Sequence, residues 1–115
     1  MSAAKLNIDE LEAGYPLFCK ALRLVILKAN SAKDIEKETI QVLKNLEEVL
    51  KAGGAKIEDV IKTTIYLTDL SNFQIVNKIY SDFFNIENPP ARACVEVSSL
   101  PKGVLVEIDC VAFLD

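Results

Sequence analysis

The sequence predicts one α+β domain in which a mixed β-sheet carries two helices on one face. Two segments with apolar residues at three- and four-residue spacing are typical of amphipathic helices. Runs rich in β-branched residues precede, separate and follow these segments, as expected of strands. Strands separated by long helices require crossover connections, whereas a hairpin-length connection, residues 98–103, predicts an antiparallel final pair. A length of 115 residues suits one core, so residues 1–115 are predicted to be a single domain.

The first third of the chain has the weakest pattern. Residues 5–8 are a candidate for an extended segment, and Gly14-Tyr15-Pro16 predicts a turn. Residues 22–27 are apolar and partly β-branched, which predicts a strand that is buried on both faces. A short buried helix fits the same run, because periodicity alone does not separate the two.

The first helix is predicted to begin near Ser31. Ser31 followed by Asp34 resembles a capping box in which Asp replaces the usual Glu or Gln. The apolar stripe then runs over residues 35–50, and Gly53-Gly54 is expected to end the helix with a left-handed C-cap.

The second helix is predicted after a strand at residues 61–68. Asp69, Ser71 or Asn72 can cap it. Its apolar positions over residues 73–84 have helical spacing and form a core-facing stripe, not a cofactor site.

The strands carry more apolar surface than two helix faces need. An exposed sheet face of this kind predicts self-association. The apolar strand positions are Ile61, Ile65, Val95, Val97, Val104, Val106, Ile108 and Val111.

Charge and hydropathy exclude some classes of protein. The net charge of −4 disfavours unspecific nucleic-acid binding, which depends on Lys and Arg. No apolar run reaches the length of a membrane span, and residues 1–12 resemble neither a secretory leader nor a mitochondrial presequence.

The absence of histidine excludes Ser-His and Cys-His nucleophile pairs. A zinc site would need Cys19, Cys94 and Cys110 together with a carboxylate, so no metal is expected. Three cysteines without paired spacing fit a reducing compartment, most simply the cytoplasm.

The candidate site begins at Pro89-Pro90, two prolines that fix the backbone before Arg92. Glu107 lies in the last apolar run, and we expect it on a strand beside that of Arg92. A guanidinium matches a carboxylate in two parallel hydrogen bonds, so the pair suits a small carboxylic acid. Alternatively, Arg92 is a strand-edge charge, with Glu107 as its salt-bridge partner or as an exposed strand residue.

Several segments resemble the RidA/YjgF imine-deaminase family. They are residues 62–70 (Lys-Thr-Thr-Ile-Tyr-Leu-Thr-Asp-Leu), 76–80 (Val-Asn-Lys-Ile-Tyr), 83–84 (Phe-Phe), 90–97 (Pro-Ala-Arg-Ala-Cys-Val-Glu-Val), 100–103 (Leu-Pro-Lys-Gly) and 106–108 (Val-Glu-Ile). The resemblance covers roughly residues 34–113. It implies the chorismate-mutase-like RidA fold, a homotrimer whose sheets line a central barrel, and ligand clefts between subunits.

The resemblance also implies an activity: hydrolysis of reactive 2-imino acids or enamines to 2-oxo acids and ammonia. It assigns carboxylate binding to Arg92 and the positioning of the attacking water to Glu107. Cys94 and Asn77 then line the cleft, and Tyr15 covers the ligand. The chemistry it implies needs no metal or organic cofactor.

Residues 1–33 depart from the family pattern. Leu27-Lys28-Ala29-Asn30 stands where the family has Ser-Gly-Gln, and Gly14-Tyr15-Pro16 reverses its Pro-Tyr order. An alternative function is therefore a non-catalytic trimer that senses small carboxylates or binds a protein. Ribonuclease activity is the weakest alternative, because the chain is acidic and has no basic-aromatic strip.

Overall fold

The computed structural model describes residues 17–19 and 34–114. Their helices and strands are β1 (Leu17–Cys19), α1 (Ile35–Ala52), β2 (Val60–Leu67), α2 (Phe73–Phe83), β3 (Ala91–Glu96) and β4 (Val106–Leu114). Short 3-10 turns precede β2, α2 and β4. The predictions for residues 5–8, 22–27 and Gly14-Tyr15-Pro16 lie outside the described residues.

The described strands form one mixed sheet in the order β1-β4-β2-β3. β3 is parallel to β2, and β4 is antiparallel to both β2 and β1. The mixed sheet is confirmed, but the pairing of the last two strands with each other is wrong. The connection after β3 turns through Lys102 and Gly103, both at positive φ, and β4 pairs with the far side of β2. A short connection permits a hairpin without requiring one.

The first helix begins later than the sequence predicts. Asp34 is its N-cap, and the carboxylate accepts the backbone N–H groups of Glu36 and Lys37 at 3.0 and 3.3 Å. Ser31 lies outside the described residues. α1 ends at Ala52, and Gly54 then adopts φ +82°, which is the expected left-handed C-cap.

Both helices pack on one face of the sheet and enclose the core. The hydroxyl groups of Thr63 in β2 and Tyr80 in α2 form a hydrogen bond of 2.5 Å. The face of the sheet that carries Thr63 is therefore the one that the helices cover. A buried carboxylate, Glu38 of α1, accepts the N–H of Leu105 at 2.8 Å and ties the helix to the start of β4. The core residues are Val42, Leu43, Leu46, Leu50, Ala55, Val60, Ile65, Leu67, Val76, Tyr80, Phe84, Val104, Val106, Ile108, Cys110 and Ala112.

Several apolar strand residues stay outside this core. The side chains of Val95 and Phe113 lie on the face of the sheet opposite the helices and are 41% and 39% exposed. Ile61, at a register shift in β2, is 45% exposed. Of the eight apolar strand positions named from the sequence, Ile61 and Val95 are thus exposed, whereas four are buried in the core: Ile65, Val104, Val106 and Ile108.

Candidate active site

Arg92 is the second residue of β3 and projects over α2. Its Nη1 donates a hydrogen bond to Oδ1 of Asn77. Its Cζ lies 5.4 Å from the ring centroid of Phe73 and 5.2 Å from that of Tyr80. The side chain is exposed, so a charged group is held at the surface by three residues of a single helix.

These three contacts follow from helix geometry. Residues 73, 77 and 80 are spaced by four and three, which places them on one side of α2. Tyr80 is 4% exposed, and its hydroxyl is fixed by Thr63, the residue opposite Arg92 in the sheet register. Burial raises the pKa of the Tyr80 phenol, while the Thr63 hydrogen bond and the charge of Arg92 oppose that rise.

An open cleft of about 470 Å³ lies beside Arg92. The buried rings of Tyr80 in α2 and of Phe84, the residue after α2, line it on one side, and Pro90 lines it from the approach to β3. Arg92 is its one charged lining residue among those described. The surroundings of the guanidinium therefore favour an anion that carries an apolar portion.

Cys94 lies two residues after Arg92, on the same face of β3. It is half-buried, and burial raises the pKa of its thiol, while the positive charge of Arg92 acts in the opposite direction. At neutral pH the group is therefore a thiol, which suits a residue that shapes a cleft more than one that attacks a substrate.

This pKa predicts slow alkylation of Cys94 at neutral pH. We expect iodoacetamide to modify it several-fold more slowly at pH 7.5 than it modifies glutathione, with a rate that keeps rising above pH 9. Site-resolved mass spectrometry measures both. The thiolate form reacts, so Arg92→Ala should slow the modification further. Alkylation as fast as glutathione at pH 7.5 would contradict the raised pKa.

Glu107 does not lie on a strand beside Arg92. β2 separates the two strands, and Glu107 pairs with Tyr66 whereas Arg92 pairs with Thr63. Because successive strand residues alternate in direction, Glu107 points to the face opposite the helices. Strand spacing puts the two Cα atoms roughly 14 Å apart. The expectation of neighbouring strands is therefore wrong.

The environment of Glu107 is nevertheless unusual for a carboxylate. The side chain is 1% exposed, which excludes the alternative that it is an exposed strand residue. On the same face, Asp109 accepts a hydrogen bond from the hydroxyl of Tyr66 at 3.0 Å. Two acidic groups and a phenol thus lie on the face of β2 and β4 that is opposite the helices.

Sequence reasoning placed some of these groups and missed others. It named Arg92, Asn77 and Cys94, which lie on β3 and the adjacent side of α2. It assigned Phe73 and Tyr80 only to the core, although their contact with Arg92 is the main feature of this site. Tyr15 lies outside the described residues. The signal for the missed contacts is the spacing of both rings from Asn77.

Two further features concern only the residues that the structure describes. No group of three or more His, Cys, Asp or Glu side chains in this part of the chain could hold a metal ion. None of the described helices has the length and hydrophobicity to cross a membrane.

The described helices and strands define a small α+β protein with a mixed sheet. A family model described as Endoribonuclease L-PSP matches residues 27–114. The chain therefore belongs to the Endoribonuclease L-PSP family, which is the RidA/YjgF family. The resemblance seen in the sequence is confirmed.

Individual relatives support this assignment. A RutC family protein of Synechocystis is 52% identical over 81 residues, which are 70% of this chain and 62% of that protein. A 2-iminobutanoate/2-iminopropanoate deaminase of Salmonella typhimurium is 42% identical over 83 residues, 70% of this chain and 65% of that enzyme. The chain thus matches less than two thirds of the length of either. A Rid family protein structure from Yersinia pestis superimposes with a TM-score of 0.75 at 42% identity, over 86% of this chain and 80% of that one.

Proposed function

We propose that this protein hydrolyses reactive 2-imino acids, or their enamine tautomers, to 2-oxo acids and ammonia. The observation that carries the proposal is the position of Arg92, whose exposed guanidinium contacts Asn77 and two aromatic rings. Arg92 belongs to a segment, residues 90–97, that resembles this family. The similarity to a 2-iminobutanoate/2-iminopropanoate deaminase supports the reaction class.

Each residue has a role in the proposed reaction. Arg92 binds the substrate carboxylate and so fixes the position of the imine carbon. Glu107 accepts a proton from a water molecule, whose oxygen bonds to that carbon. The proton passes to nitrogen and gives a carbinolamine. Glu107 then carries the hydroxyl proton of this intermediate to the same nitrogen, the C–N bond breaks, and ammonia leaves as the 2-oxo group forms. Asn77 and Cys94 line the cleft, and Tyr15 covers the ligand.

We further propose that the active form is a homotrimer with its sheets around a central barrel and its ligand clefts between subunits. One protomer places Arg92 and Glu107 on opposite faces, so a single copy does not present both groups to one ligand. The exposed residues of β3 and the apolar Val95 offer surface for a second copy. Light scattering should give three times the monomer mass.

An enzyme-coupled assay tests the reaction. A pyridoxal-phosphate dehydratase generates 2-iminobutanoate from threonine, and release of 2-oxobutanoate is compared with and without this protein. We expect acceleration that is proportional to the concentration of added protein. Its absence with folded trimer would reject the deaminase and favour a non-catalytic carboxylate-binding protein. The proposed setting is the cytoplasm, because the spacing of the three cysteines in the sequence indicates no disulfide framework.

A further inference from the structure

Two aromatic residues that the sequence analysis did not assign to the site contact Arg92, the residue proposed to bind the substrate carboxylate. We infer that Phe73 and Tyr80 are positioning residues, which hold the guanidinium of Arg92 in the orientation that binds a planar carboxylate. This inference rests on the proposed function in assigning Arg92 to the substrate. It adds two residues that act through Arg92, of which Tyr80 also lines the cleft.

The geometry supports a cation–π contact with each ring. Both centroids lie within 6 Å of the Arg92 Cζ, the range in which a guanidinium is attracted to the ring quadrupole. Arg92 itself is exposed, so without these contacts its long side chain would sample many rotamers. The rings restrict those rotamers before any ligand arrives.

The contacts also leave donors for a ligand. A guanidinium has five N–H groups, and Asn77 is the one described acceptor bonded to Arg92. Ring contacts consume no N–H donor. The arrangement therefore fixes the group while sparing the edge that pairs with both carboxylate oxygens.

The two rings are fixed to different extents. Tyr80 is buried, and its hydroxyl bonds to Thr63 of β2, directly opposite Arg92. Phe73 is half-buried at the first turn of α2 and has no polar group with which to anchor itself. Phe73 is thus the position where the contact can be removed with the least disturbance of the core.

The test combines variants of Phe73 with binding and nuclear magnetic resonance. We expect Phe73→Leu to weaken 2-oxobutanoate binding about 3- to 20-fold by calorimetry, the range of a cation–π contact. The Michaelis constant for the imine should rise more than kcat falls. Phe73→Tyr keeps a ring and should restore binding to within twofold of the native protein.

A matched control separates this effect from a general loss of packing. Phe83 lies on the same helix, is half-buried and contacts Phe84 edge-to-face. Phe83→Leu should leave 2-oxobutanoate binding unchanged. Equal weakening by Phe83→Leu and Phe73→Leu, or no rescue by Phe73→Tyr, would overturn the positioning role.

A spectroscopic measurement separates this inference from the proposed activity. Rotation about the Arg92 Nε–Cζ bond, followed by nitrogen-15 resonance, should be slow in the native protein and faster in Phe73→Leu. Tyr80→Phe keeps the ring and should keep rotation slow. If rotation is slow in the native protein and faster in Phe73→Leu, but no imine is hydrolysed, the deaminase is rejected and the positioning role is retained. Unchanged rotation in Phe73→Leu would reject the positioning role even if the enzyme is active.

Discussion

Replacing Arg92 with alanine should reduce kcat/KM for 2-iminobutanoate hydrolysis at least 100-fold. Two charge-assisted hydrogen bonds to the substrate carboxylate are lost, together with the orientation they impose on the imine carbon. The factor corresponds to about 2.7 kcal/mol of transition-state stabilisation. The coupled dehydratase assay measures the rate, and calorimetry with 2-oxobutanoate measures the accompanying loss of binding.

Two further variants test the reason for that loss. Arg92→Lys keeps the charge but removes the planar fork, and we expect it to recover only part of the activity. Lys78→Ala removes an exposed cation that lies on α2, and its Nζ is 3.8 Å from a carboxylate oxygen of Asp82. This variant should leave the rate unchanged. Full activity in Arg92→Ala would show that the carboxylate is bound elsewhere. A large loss in Lys78→Ala would show that general charge, not geometry, matters.

The fold follows from local patterns that are visible in the sequence. The apolar stripe at residues 35–50 fixes the face of α1 that enters the core, and Gly54 can adopt positive φ without steric cost. Strand order is different, because it depends on pairing between distant segments. The short connection after β3 fits a hairpin, yet β4 pairs with β2. No local pattern distinguishes the two outcomes.

Some residues of the candidate site can likewise be predicted from local sequence, whereas others depend on the pairing of distant segments. Arg92 stands out because two prolines precede it, whereas the helix stripe that meets it has the spacing of a core surface. Phe73 and Tyr80 belong to that stripe, so spacing alone assigns them to packing. Their contact with Arg92 depends on the strand register that pairs Arg92 with Thr63, which spacing within the helix does not reveal. The opposite orientation of Glu107 also depends on this register and on strand order.

Replacing Glu107 with glutamine should lower kcat about 100-fold or more and change KM much less. Glutamine has nearly the same shape but cannot accept a proton from water, and general bases contribute roughly 10²–10⁴-fold. Circular dichroism and thermal unfolding check that the buried substitution leaves the fold intact. Asp109→Asn, two residues along the same face, is the matched control and should retain activity within about threefold.

The double variant Arg92→Ala with Glu107→Gln joins these two predictions. The residues are roughly 14 Å apart in one protomer, so their effects on unfolding free energy should add. Their effects on catalysis should not add if both groups act on one substrate, because a misplaced substrate gains little from the base. Non-additive kinetics with additive stability would thus place both groups at a shared intersubunit cleft. Additive kinetics, or a Glu107→Gln enzyme with native kcat, would make Glu107 a structural carboxylate and require another base.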